Sequence, residues 1–146
     1  MARFVAVLDN PLSVAQAFDY MSHLVHFAEW DPNVRHVEQI AGEGPAHDAV
    51  YDVTVNGVRG EMTLRYRVVE FDPPRRLTVR AETQWIESLD VIEVVERPRG
   101  SAVTYDARLH FRGVLRLLNP VLSPVLARIG RRAERGLRRR LQELGT

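Results

Sequence analysis

One carboxylate and three tyrosines are the side chains of this sequence best suited to chemistry. Asp90 stands in "LDVIEVVE", which is apolar on both faces, while Tyr51, Tyr66 and Tyr105 stand in stretches that alternate apolar with polar residues. A carboxyl group held in apolar surroundings has its pKa raised by desolvation and can act as a general acid or base near neutral pH. Tyrosine offers an apolar ring with one hydrogen-bonding tip, useful for orienting an oxygen-bearing molecule. Each has a plainer role too: the tyrosines as ordinary core residues, Asp90 as a solvated residue near the strand end or as a structural hydrogen bond to a turn. His23 and His26 are three apart with Glu29 beyond, but no third ligand stands at a recognisable spacing, so no metal site is expected. His26 with Phe27 and Trp30 reads instead as one wall of a cavity entrance. The chain has no cysteine, which excludes disulfides, thiol nucleophiles and cysteine-bound metals. No nucleophile elbow, phosphate-binding glycine loop, HExxH or EF-hand pattern occurs, so no cofactor, nucleotide or covalent mechanism is implied.

These residues need a sheet to position them. From Val34 to Arg112 the apolar period is two, as in "YDVTV", "EMTLRYRVVEF", "LTVRAETQW" and "VTYDARLHF". Such alternation marks an antiparallel sheet with one dry and one wet face. Parity puts Tyr51, Tyr66, Thr83, Trp85 and Tyr105 on the dry face. The breaks "VNGVRG", "FDPPRR" and "RPRG" are turn chemistry at hairpin spacing. Alternation alone cannot orient Asp90, but the hairpin can. A two- or four-residue turn around Pro98-Arg99 pairs Val94 with Val103 and Ile92 with Tyr105, which sets Asp90 opposite Ala107 on the dry face. A three-residue turn would put Glu93 inside instead.

Ahead of the sheet, "RFVAVL" is a strand candidate, and "SVAQ" from Ser13 to Gln16 fits a capping box that opens a helix. A second short helix is expected over "SHLVHFAEW", ending before Asp31-Pro32, since a residue preceding proline avoids the helical region. After the sheet, Leu122, Leu126, Ile129, Ala133, Leu137, Leu141 and Leu144 form one apolar stripe in steps of three and four. A helix of about 21 residues would be roughly 31 Å long, enough to cross a curved sheet. Gly130, Ala133 and Gly136 permit close approach or leave room beneath it. The order is strand, two helices, about six strands in a meander and one long helix, an α+β arrangement.

The last helix is also rich in arginine, with seven arginines and two glutamates from Arg128 to Glu143. All twenty basic residues of the chain are arginine, and the net charge is only +1. Arg128, Arg131, Arg132, Arg135, Arg138 and Arg139 fall largely outside the apolar stripe, as the solvated face of a packed helix would. Nucleic acid is not an expected partner, because residues 121–146 offer no aromatic side chain for base stacking and no recognition motif. Membrane contact has more support: "GVLRLLNPVLSPVL" is apolar and interrupted by Pro120 and Pro124, so residues 113–126 are a candidate peripheral contact or mobile lid.

At 146 residues and 45% apolar composition the chain suits one domain spanning 1–146 with a single core. Absence of cysteine and of a signal-peptide-like start is compatible with a cytoplasmic location. The sequence resembles the helix-grip, START-like (SRPBCC) superfamily, and within it the polyketide cyclase/dehydrase and lipid-transport group. The matching stretches are "VAQAFDYMSHLVHFAEWDPNV", "YRVVEFDPPRRL", "SAVTYDARLHFRG" and "GLRRRL" in the last helix. The resemblance implies a curved antiparallel sheet of about seven strands wrapped around a long C-terminal helix, with two short helices after the first strand. It implies an apolar-ligand cavity between sheet and helix, to which His26, Trp30, Tyr51, Tyr66, Thr83, Trp85, Asp90, Tyr105, Ile129 and Ala133 are the candidate contributors. The function expected is binding of a small hydrophobic molecule such as a lipid, isoprenoid or polyketide. The alternatives are a cyclase/dehydrase that uses Asp90 and the tyrosines, and lipid or quinone handling at a membrane.

Overall fold

A computed structural model of the chain describes residues 2–57 and 60–146. Strand β1 (Ala2–Asn10) leads into helix α1 (Val14–Ser22), a 3-10 turn (Leu24–His26) and the short helix α2 (Phe27–Trp30). Strands β2 (Val34–Ala41), β3 (Val50–Gly57), β4 (Gly60–Asp72), β5 (Arg76–Glu82), β6 (Ile86–Arg97) and β7 (Gly100–Phe111) follow as an antiparallel meander. β1 pairs antiparallel with β7, giving the order β1-β7-β6-β5-β4-β3-β2. A second 3-10 segment (Gly113–Leu118) leads into the long helix α3 (Asn119–Leu144). Register shifts in β2 and between Val68 and Glu70 of β4 add curl to the sheet, because an extra residue on one strand bends it and increases its twist. The turn read from "VNGVRG" falls partly on residues 58 and 59, outside the described residues.

Local chemistry accounts for the element boundaries. The Ser13 side chain accepts a hydrogen bond from the Gln16 amide at 3.1 Å, and the Gln16 side chain accepts one from the Ser13 amide at 3.0 Å, which closes the capping box. The β6–β7 hairpin pairs Arg97 with Gly100, so its turn holds two residues. Gly100 has φ +150°, and a Cβ there would collide with the Asn10 carbonyl; only glycine serves. Val94 then pairs with Val103, Ile92 with Tyr105 and Asp90 with Ala107. Glu93 points to the other face, where it accepts from Arg76 at 3.0 Å.

Two sequence expectations change here. Strand β5 ends at Glu82, three residues earlier than the alternation through Trp85 implies. Thr83 and Trp85 lie in the β5–β6 turn, where the Thr83 hydroxyl accepts the amides of Trp85 and Ile86 and Trp85 is exposed. The second change is that the prolines do not break the last helix, which runs 26 residues. Pro120 sits in the first turn, where an amide N–H has no helical partner to lose. Pro124 lies inside and leaves only the Pro120 carbonyl without its helical donor.

Helix α3 lies along the concave face and is held near both ends. Leu122 and Leu126 pack with Ala2, Leu109 and Phe111 at one end. Leu137 and Leu141 join the main core with Phe18, Met21, Leu24, Leu77 and Ile92 at the other. The second end is also tied by polar bonds: the Tyr20 hydroxyl donates to Glu29 at 2.9 Å, and Arg140 reaches both at 3.4 and 3.2 Å. Gly136 lets α2 seat against α3, since a Cβ there would collide with the Trp30 carbonyl. Glycine inside a helix ordinarily costs about 1 kcal/mol relative to alanine. At this position the sign should reverse: Gly136→Ala is expected to lower stability by about 1–3 kcal/mol, the usual cost of overpacking. Urea unfolding checks it, and a more stable variant would contradict this seating of α2.

Candidate functional site

Between the concave face and α3 lies a cavity of about 870 Å³, within the range of small-molecule sites. Its existence follows from side-chain size. Midway along α3 the cavity-lining residues include Gly130 and Ala133 beside Ile129, and the two small ones leave open the gap that leucines fill at either end. A Cβ on Gly130 would meet the Phe4 ring, so at that one point helix and sheet touch through glycine. The remaining wall is mostly apolar, with Leu24, Phe27, Val53, Leu64 and Val79 among its members.

Four polar side chains of the wall form two hydrogen-bonded pairs, while Asn33, Asn56, Arg108 and Glu134 line it elsewhere. The Tyr105 hydroxyl donates to Asp90 Oδ2 at 2.7 Å, and the hydroxyls of Tyr66 and Ser88 are 2.8 Å apart. All four residues line the cavity, and Asp31 at the C-terminal end of α2 lines it with them. Burial pushes the Asp90 carboxyl up to about 7; the Tyr105 hydrogen bond opposes this, and the nearby charges of Asp31 and Asp106 add to it. Burial likewise takes Asp31 up to about 6, against the Asn33 amide and the positive charge of Arg132. Tyr66 and Tyr105 are both raised, chiefly by burial and then by the charge of Asp90. The cluster therefore holds an exchangeable proton near neutral pH beside two hydroxyls that stay protonated. It can donate a hydrogen bond to a carbonyl or hydroxyl oxygen, or take a proton from a hydroxyl or from a carbon beside a carbonyl.

Of the residues expected from sequence, the cavity brings together Trp30, Tyr66, Asp90, Tyr105, Ile129 and Ala133. Trp30 stands edge-on to Tyr105 with ring centroids 5.8 Å apart. Four expected residues lie off it. Thr83 and Trp85 are in the turn beyond the strand end. Tyr51 is 1% exposed and belongs to the main core cluster. The His26 ring stacks on Tyr20, and its Nδ1 lies 2.9 Å from the Tyr20 carbonyl, which turns it toward α1. Asp31 and Ser88 were not anticipated. Ser88 was within reach, because it precedes Asp90 by two on the same face. Asp31 could be read only as a helix-ending residue, since its meeting with Asp90 depends on how α2 docks.

Comparison with known proteins follows the same lines. The family model described as "Polyketide cyclase / dehydrase and lipid transport" matches residues 1–142. The chain belongs to this family. No curated protein matches the sequence. A START superfamily protein from Mycobacterium smegmatis shares the fold at TM-score 0.80 and 10% identity, with 99% of each chain covered. A Thermus thermophilus protein does so at TM-score 0.78 and 13% identity, again over 99% of each chain. The di-domain ARO/CYC protein BexL of the BE-7585A biosynthetic pathway is similar at TM-score 0.63 and 15% identity, over 92% of this chain and 49% of that one. These likenesses establish for this cyclase/dehydrase and lipid-transport family member a START-type helix-grip fold.

The two raised carboxyls carry a pH signature with a definite sign. In the folded chain each keeps a proton that the unfolded chain has already lost, up to about 6 for Asp31 and about 7 for Asp90. Stability contributed by these groups is present at acidic pH and falls as pH rises through that window, by about 1.4 kcal/mol per pH unit for one proton. Urea unfolding at about pH 5 and about pH 8 should show a less stable protein at the higher pH. Asp90→Asn should remove a large part of that loss. An unchanged pH dependence in the variant would show that Asp90 titrates normally.

Proposed function

We propose that this chain binds one hydrophobic, oxygen-bearing molecule of lipid, isoprenoid or polyketide type in the cavity, with its oxygen held by Asp90 and Tyr105. The observation that carries this reading is a mostly apolar cavity of about 870 Å³ with Asp90 and Tyr105 hydrogen-bonded to each other in its wall. Apolar area supplies affinity without direction, and one charge-assisted contact supplies orientation. The family description, which names lipid transport beside cyclisation, supports the same class of ligand. Native mass spectrometry of the purified protein, followed by organic extraction, tests it. A retained or readily loaded apolar molecule with a carbonyl or hydroxyl group is the expected result. A protein that emerges empty and takes up no such molecule would overturn the reading.

A second reading is favoured by the Asp90–Tyr105 pair itself. A carboxyl group at about 7 is poised to move protons at physiological pH, as cyclisation and dehydration of a poly-β-keto chain require. In such a step Asp90, ionised, takes a proton from the carbon between two carbonyls, and the resulting enolate attacks a further carbonyl of the chain. Asp90 returns that proton to the new alkoxide; for dehydration it then takes the remaining proton of the same carbon and passes it to the departing hydroxyl, so that water leaves as the carbon–carbon double bond forms. The ARO/CYC likeness adds weight to this reading. Asp90→Asn separates the two. Weakened binding by about tenfold or more fits an anchoring hydrogen bond to a charged group. Unchanged affinity with turnover of a poly-β-keto substrate reduced by about 10²–10⁴ fits a general acid–base. If neither changes, Asp90 leaves both accounts.

A further inference from the structure

The cavity is closed on one side by a single layer of side chains that is also outer surface. Val114, Leu117, Leu118, Val121 and Val125 are 73%, 81%, 48%, 59% and 52% exposed. Three of them, Leu118, Val121 and Val125, line the cavity as well. Isolated exposed aliphatics are ordinary, but a contiguous group of five at the edge of a cavity marks a surface that meets something apolar. The segment is fixed at its start: Gly113, φ +61°, packs under the Trp85 ring, and the Asn119 side chain accepts the Phe111 amide at 3.0 Å.

Charge continues the same face. Along α3 the row Val121, Val125, Arg128, Arg132, Arg135, Arg139 advances in steps of four and three, so the apolar end runs directly into four arginines. All four are exposed, and among the described residues none of them makes an ion pair, the arginine–acid pairs of this helix being those of Arg138 and Arg140. From Ala107 to Ala133 the sequence holds no acidic residue, and Arg116 stands exposed among the aliphatics. The row is about 27 Å long. Arg132, Arg135 and Arg139 also line a polar groove of about 400 Å³ against α2, which shares Trp30 and Asp31 with the cavity.

We infer that this face, from Val114 to Arg139, docks on an anionic lipid bilayer, with the aliphatic end below the head groups and the arginine row on their phosphates. Apolar side chains at one end with cations alongside are what a charged bilayer surface selects. A second copy fits less well, because two-fold pairing of this face would bring two arginine rows together, and the exposed acids nearest them, Glu29 and Glu143, are already paired with Arg140. Among the described residues no helix is long and apolar enough to cross a membrane, so contact through this segment is peripheral. Docking here would set the cavity wall made by Leu118, Val121 and Val125 against lipid. That consequence rests on the cavity reading above; docking itself does not.

Co-sedimentation of the full chain with phosphatidylcholine vesicles, with and without phosphatidylglycerol, tests the inference. Binding should be about tenfold or more stronger with the anionic lipid and should be lost near 0.5 M salt, where screening is short-ranged. Val114→Ser with Leu117→Ser, which touch neither core nor cavity wall, should reduce binding by a similar factor, and so should Arg128→Gln with Arg135→Gln. Far-UV circular dichroism confirms that each variant is folded. Uptake of an apolar fluorescent probe from solution should be unchanged in both, which separates docking from the cavity. Vesicle binding without probe uptake would keep docking and remove the cavity reading. No binding at low salt, binding indifferent to both variants, or a dimer that the serine variant dissolves in a protein indifferent to vesicles would each overturn it.

Discussion

The structure depends on how α3 is held above the sheet. Leucines grip it near both ends, Leu122 and Leu126 on one side and Leu137 and Leu141 on the other, while small residues span the middle. Packing in protein interiors is dense enough that unfilled space of this size needs support at its margins. Here the support is the two leucine clusters and the Tyr20–Glu29–Arg140 bonds that tie α1, α2 and α3 together. Side chains on α3 thus set both the fold and the void within it. A bulky residue at Ala133 would fill space without disturbing either clamp.

Within that void, burial does most of the electrostatic work. Asp90 and Asp31 are raised because water is withheld from them, and each has a partner that limits the effect, Tyr105 for one and the Asn33 amide for the other. The two carboxyls are near enough for the charge of Asp31 to bear on Asp90. A ligand oxygen brought to this cluster would meet a donor at acidic pH and an acceptor above neutrality. The same chemistry serves a carrier that orients its cargo and an enzyme that moves a proton. What separates them is whether binding or turnover fails when Asp90 can no longer ionise.

Much of this was legible in the chain, for reasons that differ from residue to residue. Alternation gave the strands, and the two-residue turn at Pro98-Arg99 fixed the register that turns Asp90 inward and Glu93 outward. The apolar stripe of the last helix was equally plain, as were the small residues at 130, 133 and 136. Errors arose where a local pattern outran its element. Alternation continues through "TQW" although β5 stops at Glu82, so parity alone carries Thr83 and Trp85 inward. Prolines at 120 and 124 suggested a break, yet a first-turn proline costs a helix nothing and α3 absorbs the second. Tyr51 was on the correct face but in a filled part of it, a distinction that periodicity does not contain. Asp31 was hidden for another reason: its place beside Asp90 is a tertiary fact, set by the seating of α2 on Gly136.

The central claim is that the space under α3 is a binding site for one apolar molecule. The most direct test is a fluorescence titration of the protein with N-phenyl-1-naphthylamine, run alongside Ala133→Trp, which fills the cavity from within. Saturable uptake at a single site in the parent chain, lost in a variant that melts as the parent does, is the result this account requires. No uptake by the parent, or equal uptake by both, would contradict it.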